Sequence, residues 1–344
     1  MRIAQLAPIA ERVPPKKYGG TERVVHALTE ELVRRGHEVT LFASGDSITS
    51  AKLQSVFPRS LREANLPEAN GMNNLALYNM GLCYELQDSF DIIHDHLAPM
   101  SLATANIAST PVVMTMHGPF NRANRRMFQT LRNPNIVTIS ESQIYAAPDI
   151  NHAGTVYNGL PMEHYPFGDS PDDYLLFVGR ISIEKGVHFA IEIAEQLDRR
   201  LIIAAKLEKV DRPYFKEYVE PYLTSRIQWI GEVDEKERNE LMSKALCFLH
   251  PVTWREPFGL TIIESMACGC PVVAFNRGSI PEIVKHGITG YVVQGNDIEA
   301  MADAVDSIEN IGRAQCREYA LENFNEKRMT DNYENVYKKI MGNH

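Results

Sequence analysis

The stretch "GGTERVVHALTEELVRRGHEVTLFA", residues 19–43, decides the fold. After two glycines, Val24, Val25, Leu28, Leu32 and Val33 recur at helical spacing, so one face of a helix is apolar. The pattern then changes to the short apolar run "EVTLFAS", and a similar run, "RIAQLAP" (2–8), precedes the glycines. Strand, glycine loop, helix and strand make a βαβ unit, which belongs to a parallel sheet with helices on both faces. The rhythm continues in "FDIIHDH", "PVVMTMHG" and "NIVTIS". Each run ends in polar residues or glycine, where ligands collect in open α/β sheets.

The rhythm breaks at "YNGLPMEHYPFGDSPDD" (157–173), where prolines and glycines without a helical period predict a linker. A second series starts at "YLLFVGR" (174–180) and runs through "EKGVHFAIEIAEQL", "LIIAA", "IQWIGEV", "CFLHPV", "PVVAFN" and "GYVV". The 344 residues suit two domains better than one core. The expected division is 1–165 for the first α/β domain and 166–325 for the second. A terminal helix, 326–344, is expected to pack back on a lobe that the sequence does not specify.

A formal charge of −9 disfavours a polyanionic partner, whether nucleic acid or anionic membrane. The acidity is uneven: residues 1–165 carry 14 Lys/Arg against 15 Asp/Glu, and the remainder 21 against 29. Five cysteines without paired spacing read as reduced core thiols. With neither an export signal nor a long apolar run, the expectation is a soluble cytoplasmic protein whose membrane association is at most peripheral. A homo-oligomer is compatible with all of this.

Chemistry concentrates in "REPFGLTIIESMACGCP" (255–271). Pro257 suits a first helical turn, Gly269 the position after the last, and Pro271 lies just beyond, which predicts a helix over about 257–268. Glu256 then stands at the helix mouth, and Gly259 lets backbone N–H groups approach an anion. Glu264 points elsewhere, about two turns on. Two such carboxylates could accept hydroxyls from two sugars joined by a diphosphate. On spacing alone they read equally as a dipole-favoured acid and a solvated helix residue.

The segment "EPFGLTIIE", an E-x7-E motif, together with "SMACGCPVVAFNRGSIPEIVKHGITGYVV", resembles the nucleotide-binding lobe of the retaining family-4 glycosyltransferases, group 1 enzymes of the B-type (GT-B) fold. The resemblance extends over "GGTERVVHALTEELVRRGHEVTLFA", "TMHG", "YNGLP" and "LLFVGRISIEKG", and is thinner over 48–88. It implies two Rossmann-like doubly wound domains facing a cleft, the first for acceptor and the second for donor. It also implies transfer of a hexose from a nucleotide diphosphate sugar with retention of configuration. By matching motif, Glu256 would hold donor-sugar hydroxyls and Glu264 the ribose. Arg180 and Lys185 would lie on the diphosphate, and Gly19 and Gly20 would line a phosphate approach in the first lobe. His117 would contact the sugar or the reacting centre. Phe258, Gly259 and Leu260 complete the donor set.

The resemblance implies UDP-glucose as the donor, which shorter family-4 enzymes commonly use, with GDP-mannose the alternative; "AAKLEKVD" departs from the glycine-containing segment often found near the base, so base specificity does not carry over by motif. No cofactor or metal is expected, since the chain lacks D-x-D and cationic side chains can take that role. A small-molecule or saccharide acceptor fits the acidic charge. Weaker candidates are Asn158, Gly159 and Ser140. The histidines of "HDH" (94–96) lack an identifiable third metal ligand. Arg122, Arg125, Arg126 and Arg132 read as a solvated helix face. A sugar-nucleotide epimerase of the same architecture and a solute-binding protein are the rival classes.

Overall fold

The computed structural model describes residues 1–17, 19–64 and 69–342. The chain forms two compact units, Met1–Pro161 with Phe324–His344, and Met162–Asn323. The chain thus changes unit at Pro161 and re-enters the first unit at Phe324, where the sequence reading has 165/166 and 325/326.

The first unit is built on strands β1 (Arg2–Leu6), β2 (Glu38–Phe42), β3 (Lys52–Gln54), β4 (Ile92–Asp95), β5 (Val112–Met116), β6 (Asn135–Thr138) and β7 (His152–Thr155). They form one sheet in the order β3-β2-β1-β4-β5-β6-β7, and every pair is parallel. Both faces are covered, as buried parallel strands require. Leu6, Ile93, Met114 and Phe128 share one cluster, while Val13, Val25 and Leu41 share another. The helix Gly20–Arg34 buries Val24, Val25, Leu28 and Leu32. It starts at Gly19, where a Cβ would stand 2.8 Å from the Pro15 side chain, so glycine is dictated by packing.

The terminal helix, Glu326–Ile340, belongs to this unit and packs against Gly20–Arg34. Its Tyr333 and Tyr337 are fully buried. Arg35 ties the two helices together, reaching Asp331 at 2.6 Å and Glu334 at 3.0 Å.

The second unit contains β8 (Tyr174–Arg180), β9 (Arg200–Lys206), β10 (Ile227–Gly231), β11 (Cys247–His250), β12 (Val272–Phe275) and β13 (Gly290–Val293). Their order is β10-β9-β8-β11-β12-β13, again all parallel. In each unit the order reverses beside the first strand, between β1 and β4 and between β8 and β11. Such switch points open a crevice at the carboxyl ends of the strands. Those ends carry His96 and His117 in the first unit and Arg180 and His250 in the second.

Among the described residues, no helix is long and apolar enough to cross a membrane. The five cysteines are buried and unpaired.

Candidate active site

In the second unit the site is a loop, 251–259, held from both sides. Arg180 ends β8, and a 3-10 turn, Ile183–Lys185, leads through Gly186 into the helix Val187–Gln196. Gly186 has φ +72°, and a Cβ there would lie 2.0 Å from the carbonyl oxygen of Pro251. The Thr253 N–H donates to the Glu184 carbonyl at 2.9 Å. On the opposite side the Ser279 N–H donates to the Glu256 carbonyl at 2.9 Å, and Ser279 Oγ donates to the Phe258 carbonyl at 2.9 Å. Gly278, at φ +61°, brings its backbone so close to Glu256 that a Cβ would meet the Glu256 carbonyl oxygen at 2.3 Å. The loop is therefore held on both sides, at Pro251 and Thr253 by the 184–186 turn and at Glu256 and Phe258 by Gly278 and Ser279.

The Glu256 side chain is buried, and two donors converge on its Oε2 with an imidazole nitrogen beyond them. Lys185 Nζ is at 2.7 Å, Trp254 Nε1 at 3.0 Å, and His250 Nε2 at 3.7 Å, an ion-pair distance longer than a hydrogen bond. Lys185 also lies 4.9 Å above the Trp254 ring. Burial alone would raise the Glu256 pKa, but the Lys185 ammonium foremost, with His250 beside it, outweighs burial and holds the carboxyl down at about 2. Burial in turn keeps His250 below its ordinary value. Glu256 is thus a buried, ionised carboxylate at neutral pH, able to accept hydrogen bonds from hydroxyls.

The helix that follows runs from Leu260 to Ala267, shorter at its start than the predicted 257–268. Gly259, at φ +89°, takes the left-handed region in front of the first turn, and its Cβ position is 2.8 Å from Ile262 Cδ1. That conformation stops the helix from extending back through Phe258 and Pro257. Glu264 is buried, which removes the reading as a solvated helix residue. Arg238 Nη2 donates to Glu264 Oε1 at 2.6 Å from the helix Glu235–Lys244. Arg180 holds a carboxylate too, reaching Glu184 Oε1 at 2.8 Å, and its Nε is buried without a hydrogen-bond partner.

In the first unit, His117 follows β5 and joins a polar chain. His117 Nε2 is 2.9 Å from His96 Nδ1, and His96 Nε2 is 2.8 Å from Gln5 Oε1. His94 Nδ1 meets the Tyr337 hydroxyl at 2.6 Å, and His94 Nε2 meets Thr115 Oγ1 at 2.7 Å. Burial lowers all three imidazole pKa values, that of His117 to about 4. The histidines of "HDH" are thus hydrogen-bonded core groups, and no cluster able to hold a metal ion occurs among the described residues. Gly19 and Gly20 lie at the start of the first helix with buried Glu22, whose carboxyl is raised to about 7 by burial.

The weaker candidates have local explanations. A Cβ on Gly159 would collide with the Asn325 carbonyl oxygen at 2.1 Å, so this glycine lets the returning chain pass. Ser140 precedes the helix Glu141–Ala146, and Ser140 Oγ and Asn158 Oδ1 are buried without hydrogen-bond partners. Arg122, Arg126 and Arg132 are exposed, and Arg125 pairs with Asp149 at 3.2 Å. Sequence reading missed Gln5, Arg238, His250, Trp254, Gly278 and Ser279. Of these, only Gln5 carried a visible signal, a polar residue inside an apolar strand.

Two parallel-sheet α/β units of this kind define the GT-B class of fold. The chain shares that fold with Anabaena HepE, solved in complex with UDP and glucose, at a TM-score of 0.76 and 19% identity over 98% of this chain and all of the other. Residues 18–147 match the model of glycosyltransferase family 4, and residues 167–323 match that of the glycosyl transferases group 1. The chain belongs to the group 1 glycosyltransferases. An uncharacterized glycosyltransferase of Methanocaldococcus jannaschii is 25% identical with 98% of each chain covered. The N-acetyl-alpha-D-glucosaminyl L-malate synthase of Bacillus anthracis is 23% identical with 94% of each covered.

Proposed function

We propose that the protein moves a hexose from a nucleotide diphosphate sugar, UDP-glucose in the first instance, to an acceptor hydroxyl with retention of configuration. The observation that carries this reading is the buried Glu256 carboxylate, ionised and clasped at the carboxyl end of a parallel sheet with Lys185 on it. Family membership and the UDP and glucose bound by HepE favour a nucleotide-sugar donor. The name of the malate-linked relative favours a small soluble acceptor.

In this reading Glu256 accepts hydroxyls of the donor sugar and Glu264 those of the ribose. Arg180 and Lys185 take the diphosphate, with Phe258, Gly259 and Leu260 supplying backbone at the helix start. Gly19 and Gly20 permit close approach on the first unit, and His117 meets the transferred sugar. The bond from the anomeric carbon to the phosphate oxygen breaks while the acceptor oxygen bonds to the same face of that carbon. The acceptor proton passes to the departing phosphate. Arg180 and Lys185 stabilise the charge that develops there, which is where preorganised cations contribute most. Because they supply that charge, the transfer is expected to be metal-independent, with EDTA leaving turnover unchanged. A cytoplasmic location fits a nucleotide-sugar donor.

The test is a thermal-shift series with UDP, GDP, ADP and UDP-glucose. A ligand at 100 times its dissociation constant adds about 2.7 kcal/mol of stability. Stabilisation by UDP and UDP-glucose, lost in Glu264→Ala, is expected, and Glu256→Ala should abolish transfer while still binding UDP. Stabilisation by GDP alone would move the reading to a mannosyltransferase. Indifference to every nucleotide, or wild-type turnover in Glu256→Ala, would refute the assignment.

A further inference from the structure

We infer that Gln5 and His96 form a hydrogen-bond relay that locks His117 as its Nε2–H tautomer, so that Nδ1 is the lone-pair atom it offers to a substrate hydroxyl. The second half rests on the reading of His117 as a substrate-contacting residue, and the first half does not.

The direction of each bond follows from what each atom can do. The Gln5 carbonyl oxygen only accepts, so His96 Nε2, 2.8 Å away, carries a proton. A neutral imidazole has a single N–H, so His96 Nδ1 is a lone pair. It faces His117 Nε2 at 2.9 Å, and that nitrogen must then be the donor. His117 Nδ1 is left as an acceptor.

The far side of Gln5 agrees with this orientation. Its amide nitrogen faces His94 Nδ1 at 3.5 Å, and the Tyr337 hydroxyl lies 2.6 Å from the same nitrogen. If the Tyr337 hydroxyl donates to that lone pair, His94 Nε2 carries the proton and donates to Thr115 Oγ1 at 2.7 Å. The Thr115 hydroxyl can then donate to Tyr333 at 2.9 Å. Turning the Gln5 amide over would reverse every bond and present Nδ1–H instead, so the amide orientation sets the polarity of the whole chain. The chain also requires neutral rings: an imidazolium at His96 would set its Nδ1–H against the His117 Nε2–H, and one at His117 would leave no lone pair on Nδ1. Burial keeps them neutral, with His94 and His96 almost wholly inaccessible. The Tyr333 and Tyr337 hydroxyls extend the chain from His94 and Thr115 to the terminal helix, outside the Gln5–His96–His117 arm. Gln5 and His96 are positioning residues, since they act on substrate only through His117.

The test reads the tautomer directly from long-range 1H–15N correlations of the histidine rings in the whole protein between pH 6 and 8. Wild type is expected to show His117 with Nε2 protonated and Nδ1 bare. Gln5→Met should mix the tautomers, whereas Tyr337→Phe, which leaves the Gln5–His96–His117 arm intact, should keep the wild-type pattern. Turnover is followed as UDP release from UDP-glucose with water as acceptor. Gln5→Met is expected to lower kcat about tenfold, the value of one lost hydrogen bond, with little change in KM. A wild-type spectrum with Nδ1 protonated overturns the relay, and so does an unchanged tautomer in a folded Gln5→Met. If Gln5→Met does not fold, the wild-type spectrum decides alone. Undiminished UDP release in His117→Ala, with the tautomer as expected, would overturn the substrate contact and leave the lock standing.

Discussion

Replacing Lys185 by Met removes the cation on Glu256 while keeping the length and apolar stem of the side chain. Glu256 has an ordinary pKa near 4.5 and a folded value of about 2. That difference is about 3 kcal/mol of folding stability at neutral pH. The carboxyl is depressed on folding, so the contribution is present above about pH 4.5, falls below half near pH 3 and vanishes as pH passes through 2. Without Lys185, burial dominates and the Glu256 pKa should rise, leaving His250 and Trp254 to compensate in part. Losing most of this contribution matches the 3–5 kcal/mol typical of breaking a buried pair. In a unit of this size it should lower Tm by roughly 6–12 °C at pH 7. The assay is differential scanning calorimetry at pH 7 and pH 3, resolving the transition of the second unit. The drop should be much smaller at pH 3. A decrease of under about 2 °C at pH 7, or one of equal size at both pH values, would show that Glu256 is not held ionised by Lys185.

Other parts of the site can be probed in the same way. Arg238→Leu should weaken UDP binding by about tenfold or more in calorimetric titration, because a buried hydrogen bond to a charged group contributes about 1.5–3 kcal/mol, and Arg238→Lys should recover part of it; equal affinity in Arg238→Leu would separate Glu264 from nucleotide binding. Gly278→Ala places a methyl against the Glu256 backbone in a left-handed conformation, which costs on the order of 1–3 kcal/mol. Its transfer activity should fall more than its UDP affinity, and activity equal to wild type would mean the clasp does not set Glu256. Arg35→Ala removes the contacts to Asp331 and Glu334, so amide hydrogen exchange over residues 326–340 should speed up while that of β8 to β13 stays unchanged.

What was legible in the sequence depended on distance along the chain. The strands could be read because a strand buried on both faces is a short continuous apolar run, and "YLLFVGR" and "PVVAFN" are such runs. The pair Glu256 and Glu264 could be read because both lie within one strand-to-helix segment, and so could the glycines that punctuate it. Arg238 could not. It sits in "EKERNELMSK", where charged residues surround it and nothing distinguishes the one whose guanidinium turns inward. Its role exists only because the helix Glu235–Lys244 packs against Leu260–Ala267. Gly278 has the same difficulty: "RGS" reads as a turn, and only the folded chain reveals that its backbone touches Glu256.

Gln5 marks the border between these cases. A glutamine in the middle of an apolar parallel strand needs a buried polar partner, and the β1–β4 register sets Gln5 directly beside His94. Once the strand order is known, "RIAQLAP" and "FDIIHDH" can be aligned, and the polar residues of the two strands fall together. Neither segment alone identifies the pairing. The groups that would touch substrate lie at strand ends, so short motifs expose them. The groups that orient them come from neighbouring strands and helices, and a substitution at Gln5 or Arg238 should therefore alter chemistry without altering any recognisable motif.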